Sequence, residues 1–172
     1  MILLVFQQIQ LNSSLTFYIF NNMTRQDIIK AQNLWSEGII KMGQMTNDRK
    51  SLEIYASDFL DRLYDFDDQV LFKPTKAKYT QFRNNKKSAL SYFIAGDTRD
   101  CNEDEGFALS SWSEITFENS DIILGGESAL AMGNYTFENE NSRIKVEFSF
   151  SYKKVNGLVK INLHHSSIPF QG

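Results

Sequence analysis

Ile144-Lys145-Val146-Glu147-Phe148-Ser149-Phe150-Ser151-Tyr152-Lys153 alternates apolar and polar residues without a break. Successive side chains on a strand point to opposite faces. Ile144, Val146, Phe148, Phe150 and Tyr152 therefore share one face, and Lys145, Glu147, Ser149, Ser151 and Lys153 the other. A strand with one wet side belongs to an antiparallel sheet that buries its other side. Downstream, Asn156-Gly157 is the signature of a two-residue hairpin turn, because both positions tolerate positive φ, and it leads into a strand at Leu158–Ser167. Upstream, the polar turn Glu140–Ser142 joins the same segment to a strand at Ala129–Phe137. The last third of the chain is thus a meander of long antiparallel strands.

Further upstream, strands are expected at Gln69–Phe72, Ala89–Ala95, Phe107–Phe117 and Ile122–Leu124. Pro74 stops the first of these, since it has no N–H for a central ladder. Two helices precede them. Thr24 with Asp27 forms a capping-box-like start, and Ile28, Ala31, Trp35, Ile39 and Met42 follow at spacings of three and four. After a turn at Asn47–Asp48, Leu52, Tyr55, Phe59 and Leu63 mark one face of a second helix. A one-sided sheet must be covered, and these helices are available to cover it. The expected fold is α+β: N-terminal helices packed in a curved antiparallel sheet, with a cavity lined by inward strand residues.

At 172 residues, 42% hydrophobic and 23% charged, the chain suits one soluble domain with a sizeable core. A net charge of −3 speaks against nucleic acid, which needs clustered Lys and Arg. The basic clusters Lys73–Lys78 and Arg83–Lys87 read as solvated surface. The single cysteine, Cys101, cannot form an intrachain disulfide, which fits a reducing, cytoplasmic setting. Its acidic neighbours Asp100, Glu103 and Asp104 disfavour a nucleophilic thiolate. Residues 1–22 carry no charged side chain and precede Met23, which stands at the helix start. The leader lacks a basic n-region and a 20-residue apolar run, so no signal peptide or membrane span is expected. The working domain is expected to be 23–172, with 1–22 as a leader of doubtful structure.

Familiar catalytic spacings are absent: the chain has no phosphate loop, no GxSxG and no HExxH. Both histidines fall instead in the closing stretch Lys160-Ile161-Asn162-Leu163-His164-His165-Ser166-Ser167-Ile168-Pro169. Extending the alternation places Val159, Ile161, Leu163, His165 and Ser167 on the cavity side, with His164 and Ser166 facing away. Two adjacent strand histidines cannot converge on one ion, and a catalytic zinc needs three protein ligands. Neither a metal nor another cofactor is therefore expected.

The His164-His165-Ser166-Ser167 stretch followed by Pro169 resembles the closing motif of the iota-class carbonic anhydrases. These are NTF2-like proteins related to the association domain of calcium/calmodulin-dependent kinase II. The resemblance extends to Phe72-Lys73-Pro74-Thr75, Ser91-Tyr92-Phe93, Glu105-Gly106-Phe107 and Gly133-Asn134-Tyr135, and covers most of the chain after Met23. It implies reversible hydration of CO2 to bicarbonate without a metal, the bicarbonate being held by Thr75, Tyr92 and Ser167. Alternation of Leu90, Tyr92 and Ile94 on their expected strand also turns Tyr92 inward, and Leu90 and Leu163 supply apolar walls suited to CO2. His165 is a candidate proton acceptor, its ordinary pKa lying near neutrality, or else a holder of Ser167. Sheets of this kind commonly pair face to face, so a homodimer is expected. A non-catalytic assembly module of the same fold, and an isomerase or dehydratase with an acid in the cone, are the competing readings.

Overall fold

The computed structural model describes residues 22–97 and 99–172. The expected leader therefore lies, apart from Asn22, outside the described residues. Helix α1 (Arg25–Gly43) starts on a complete capping box: the Thr24 hydroxyl accepts from the Asp27 amide and the Asp27 carboxylate accepts from the Thr24 amide. Its stripe Ile28, Ala31, Trp35, Ile39 and Met42 is buried throughout. Helix α2 (Arg49–Leu63) is capped by Asp48 and buries Leu52, Phe59 and Leu63, while Tyr55 is half-buried.

Five strands form one sheet in the order β1-β5-β4-β3-β2: β1 (Leu71–Lys73), β2 (Glu114–Gly125), β3 (Ser128–Asn139), β4 (Ser142–Val155) and β5 (Leu158–Ser167). The long pairs are antiparallel, and the short edge strand β1 runs parallel to β5. The β4–β5 turn takes positive φ at both Asn156 (52°) and Gly157 (79°), as that dipeptide requires. Val146, Phe148, Phe150 and Tyr152 are buried on one face of β4, as its alternation demands. Trp35 stands at the centre of the core, with its ring against Phe117, Tyr135, Phe150 and His164.

Several expectations are corrected. Ala89–Ala95 is not a strand but lies in helix α3 (Lys86–Ile94). Asn85 caps it by accepting from the Ser88 amide, and Arg49 takes up the carbonyls of Ile94 and Ala95 at its end. Ser88, Ala89, Ser91, Tyr92, Phe93 and Ile94 are all buried. Burial on several sides erases the helical period, and the apolar run then resembles a strand. Phe107–Phe117 divides into a short 3-10 turn (Phe107–Leu109) and the start of β2. Ile122–Leu124 belongs to β2 itself, whose register shifts between Asn119 and Asp121 at a bulge. Arg83 is not surface but fully buried, 2.7 Å from the carboxylate of buried Asp104.

Most consequential is a second bulge. Tyr152 pairs with Ile161 but Ser151 pairs with Leu163, leaving Asn162 without a partner. One extra residue exchanges the faces of everything beyond it. His164 and Ser166 consequently point into the cone, 3% and 2% exposed, while His165 and Ser167 face outward.

Candidate active site

Four elements converge inside the cone. Phe72, Lys73 and buried Pro74 end β1 and lead to Thr75; α3 contributes Tyr92; β3 and β5 contribute Tyr135, His164 and Ser166. Thr75, Tyr92, Tyr135, His164 and Ser166 line one small cavity, walled by Trp35, Phe93 and Phe107. Its volume is about 10 Å3, room for about one water. Tyr92 reaches it although it sits on a helix rather than the expected strand.

A chain of hydrogen bonds runs through the floor. Trp35 Nε1 donates to Tyr64 Oη at 2.8 Å, and Tyr64 Oη lies 2.8 Å from His164 Nδ1. On the other side of the ring, His164 Nε2 lies 2.9 Å from Ser166 Oγ and 3.3 Å from Tyr135 Oη, and those two hydroxyls bond to each other. The indole can only donate. Tyr64 therefore accepts from Trp35 and spends its own proton on Nδ1, which fixes His164 as the Nε2–H tautomer. The opposite assignment would leave the buried Tyr64 proton without an acceptor, at a cost of about 1–3 kcal/mol. Nε2–H then donates to the Ser166–Tyr135 pair. That pair has two protons and one mutual bond, so one hydroxyl proton is left to point into the cavity.

Electrostatics keep every member neutral. Burial, and secondarily His165, pushes the His164 pKa well below its ordinary 6.5. Burial likewise raises the phenols of Tyr64, Tyr92 and Tyr135. For Tyr92 the Lys76 backbone amide acts in the opposite direction. The site thus presents un-ionised O–H donors and an imidazole with both nitrogens engaged.

The expected pair His165 and Ser167 is not brought into this cavity. Ser167 Oγ donates to Glu147 Oε2 at 3.0 Å on the outer face of the sheet, and His165 is exposed beside it. Leu163 turns outward with them and packs near Leu71 and Phe82. Leu90 is half-buried on α3 and does not line the cavity. Tyr64, Tyr135, His164 and Ser166 are functional candidates that alternation alone misses. Tyr135 and Ser166 lie within quoted resemblance segments, Gly133-Asn134-Tyr135 and His164-His165-Ser166-Ser167, but nothing in the periodicity marks Tyr64. Cys101 is buried, with its thiol pKa raised chiefly by burial and lowered in part by Arg83. Among the described residues no group of three or more His, Cys, Asp or Glu could hold a metal ion.

Helices packed into a curved five-stranded sheet form the NTF2-like architecture. An NTF2-like protein from Shewanella oneidensis superposes with a TM-score of 0.55 at 18% identity, covering 84% of this chain and 99% of that one. Residues 26–168 match the metal-independent carbonic anhydrase family, and the chain belongs to that family. A metal-independent carbonic anhydrase from Nostoc sp. (strain PCC 7120) is 34% identical, over 95% of this chain and 83% of its own length. A cyanobacterial iota-carbonic anhydrase crystallised with bicarbonate superposes with a TM-score of 0.83 at 30% identity, over 88% of this chain and 96% of that one. The activity of this chain is that of its family, reversible hydration of CO2 without a metal.

Proposed function

We propose that the CO2–bicarbonate site is the cavity between Thr75, Tyr92 and Ser166, with Tyr135 and His164 as its supporting floor. The observation that supports it most is the convergence of hydroxyls from three separate elements above a histidine locked as a neutral donor. A water oxygen adds to the CO2 carbon, one C=O π bond opens onto its oxygen, and one proton leaves. Neutral donors aimed at that oxygen stabilise the charge it gains through their O–H dipoles, without bearing a net charge themselves. Lacking the pKa drop that zinc gives a bound water, the site works by orienting water and CO2 together. His164 has no free lone pair, so it orients Ser166 and does not act as the base; the proton passes to solvent.

Bicarbonate is larger than the present cavity. Tyr92 and Phe107, stacked at 5.5 Å, separate it from an outer hollow of about 170 Å3 lined by Lys76, Glu105 and Gly106. Parting of those two rings admits substrate. The reading is tested by stopped-flow CO2 hydration on chelator-treated protein beside Thr75→Val, Tyr92→Phe and Ser166→Ala. Loss of about a hundredfold for removal of a transition-state donor is expected. Full activity in Ser166→Ala with loss in Ser167→Ala would overturn the assignment.

The same reading makes the protein a cytoplasmic homodimer. On the outer face, Ile123, Leu130, Ser151, Leu163 and Leu71 are successive cross-strand partners over all five strands. Ile123, Leu130 and Leu71 are more than half exposed. A second copy placed face to face would cover this stripe, and Leu130→Asp should yield monomers in sedimentation.

A further inference from the structure

We propose that Glu103 is a positioning residue for the reaction, holding the Thr75–Lys76 segment in place from outside the cavity. This rests on the assignment of Thr75 and Tyr92 to the substrate site. Between β1 and α3 the chain makes an excursion with no helix or strand of its own. Its neck is closed where the Arg83 amide donates to the Phe72 carbonyl at 2.7 Å and Asn84 Oδ1 accepts from the Phe72 amide at 3.0 Å. Its tip is pinned by one carboxylate. Glu103 accepts from the amide of Lys78 at 2.7 Å, of Tyr79 at 2.9 Å and of Thr80 at 2.7 Å. Three consecutive amides turned on one anion form a concave nest, and here the anion is the protein's own side chain.

The fixed points reach the site within a few residues. Thr75 faces the cavity and Lys76 lines the outer hollow beside Tyr92, two residues before the first pinned amide. Glu103 is itself anchored: its side chain is 14% exposed, and Arg83 approaches it at 3.4 Å. Arg83 also binds Asp104, whose second oxygen accepts from Ser91 on α3 at 2.5 Å. The clamp therefore ties the excursion to the helix that carries Tyr92. A displacement of about 1 Å in a catalytic group can cost about a hundredfold in rate, and losing the pin at Lys78–Thr80 frees the segment for such displacement.

The test is a double-mutant cycle in CO2 hydration with Glu103→Ala, Glu103→Gln, Thr75→Val and the double variants, each with its melting temperature. The expected result is a drop in kcat/KM of about tenfold to a hundredfold in Glu103→Ala, partial recovery in Glu103→Gln, and a change of about twofold or less when Glu103→Ala is added to Thr75→Val. The folded fraction is measured for each, so a residue that only supported the fold would lower the melting temperature and leave activity per folded molecule unchanged. If Glu103→Ala does not fold, the isosteric Glu103→Gln carries the same comparison. Unchanged activity in both Glu103 variants, or full additivity with Thr75→Val, overturns the proposal while a loss in Thr75→Val leaves the site assignment standing. Wild-type activity in Thr75→Val overturns both.

Discussion

Tyr64→Phe is the sharpest probe of the cavity floor. The substitution keeps the ring among Phe59, Phe66, Phe72 and Phe93 and deletes one oxygen. That oxygen bonds both Trp35 Nε1 and His164 Nδ1, and both side chains are 3% exposed or less. Each buried group left without a partner costs about 1–3 kcal/mol, so the loss should be about 2–6 kcal/mol. A tautomer change gives no relief, because a proton moved to Nδ1 meets no acceptor there. For a domain of this size each kcal/mol lowers the melting temperature by about 2–4 °C, giving a fall of about 4–24 °C. Catalysis should fall as well: without Tyr64 nothing fixes the proton on Nε2, and His164 can then consume the hydroxyl proton otherwise aimed at substrate. Calorimetry and stopped-flow hydration read the two effects, and 15N spectra of the ring read the tautomer directly. A variant that melts within about 2 °C of wild type, hydrates CO2 normally and keeps the Nε2–H signal would refute the role given to this hydroxyl.

Ser167→Ala and His165→Gln, both on the outer face, should leave kcat/KM within about twofold in the same assay, since the contacts they lose are solvent-exposed. Stability should fall on acidification. The His164 pKa is below its ordinary 6.5 in the folded state, so the unfolded chain binds the extra proton under that pH. Its contribution is complete above 6.5 and declines below it at about 1.4 kcal/mol per pH unit. Glu103, drawn down to about 2 chiefly by the amides of Tyr79 and Thr80, extends the decline from its ordinary 4.5 downward. Urea unfolding at pH 7.5, 5.5 and 4 would show it, and a flat profile would refute both assignments. Gly133→Ala should destabilise by about 1–3 kcal/mol or more. A Cβ there would stand 2.1 Å from the Glu118 carbonyl oxygen, at the β2 bulge, where only backbone could yield. Thermal melting measures it.

The helices, their caps and the β4 meander are legible in the chain because each is written in its own residues: Thr24 with Asp27, the Trp35 stripe, the alternation ending at Lys153, the turn at Asn156-Gly157. Helix α3 is not, because six of its nine residues are buried and no polar face records its period. The site residues implied by the resemblance fall in different places. Thr75 and Tyr92 line the cavity, whereas the face of the closing strand is inverted. Counting outward from the hairpin pairs Tyr152 with Ile161 correctly, then would pair Phe150 with Leu163, apolar against apolar. The bulge replaces that match by Phe150 against His164, with ring centroids 4.1 Å apart. Alternation rewards hydrophobic matching, and at a site whose inward residues are polar it selects the wrong parity.

The inversion at Asn162 shapes both faces of the sheet at once. By turning His164 and Ser166 inward it supplies the imidazole donor and the hydroxyl of the floor. In the same step it turns Leu163 outward into register with Leu71 and, across Ser151, with Leu130. With Asn162 paired in a regular ladder, Leu163 would fill the cavity and His164 would interrupt the apolar stripe. A single unpaired residue thus separates a polar, buried lining from an exposed apolar stripe on a strand whose sequence, Leu163-His164-His165-Ser166-Ser167, offers little amphipathic guidance of its own. Deleting Asn162 should therefore leave His164 and Ser166 inward and CO2 hydration largely intact, because Ile161 and Leu163 would then follow one another in the register they already hold. Pairing Asn162 in a regular ladder instead would recover backbone hydrogen bonds at the cost of burying His165 where His164 has its Tyr64 and Ser166 partners, so a variant lacking Asn162 that loses activity would refute the role given to the bulge.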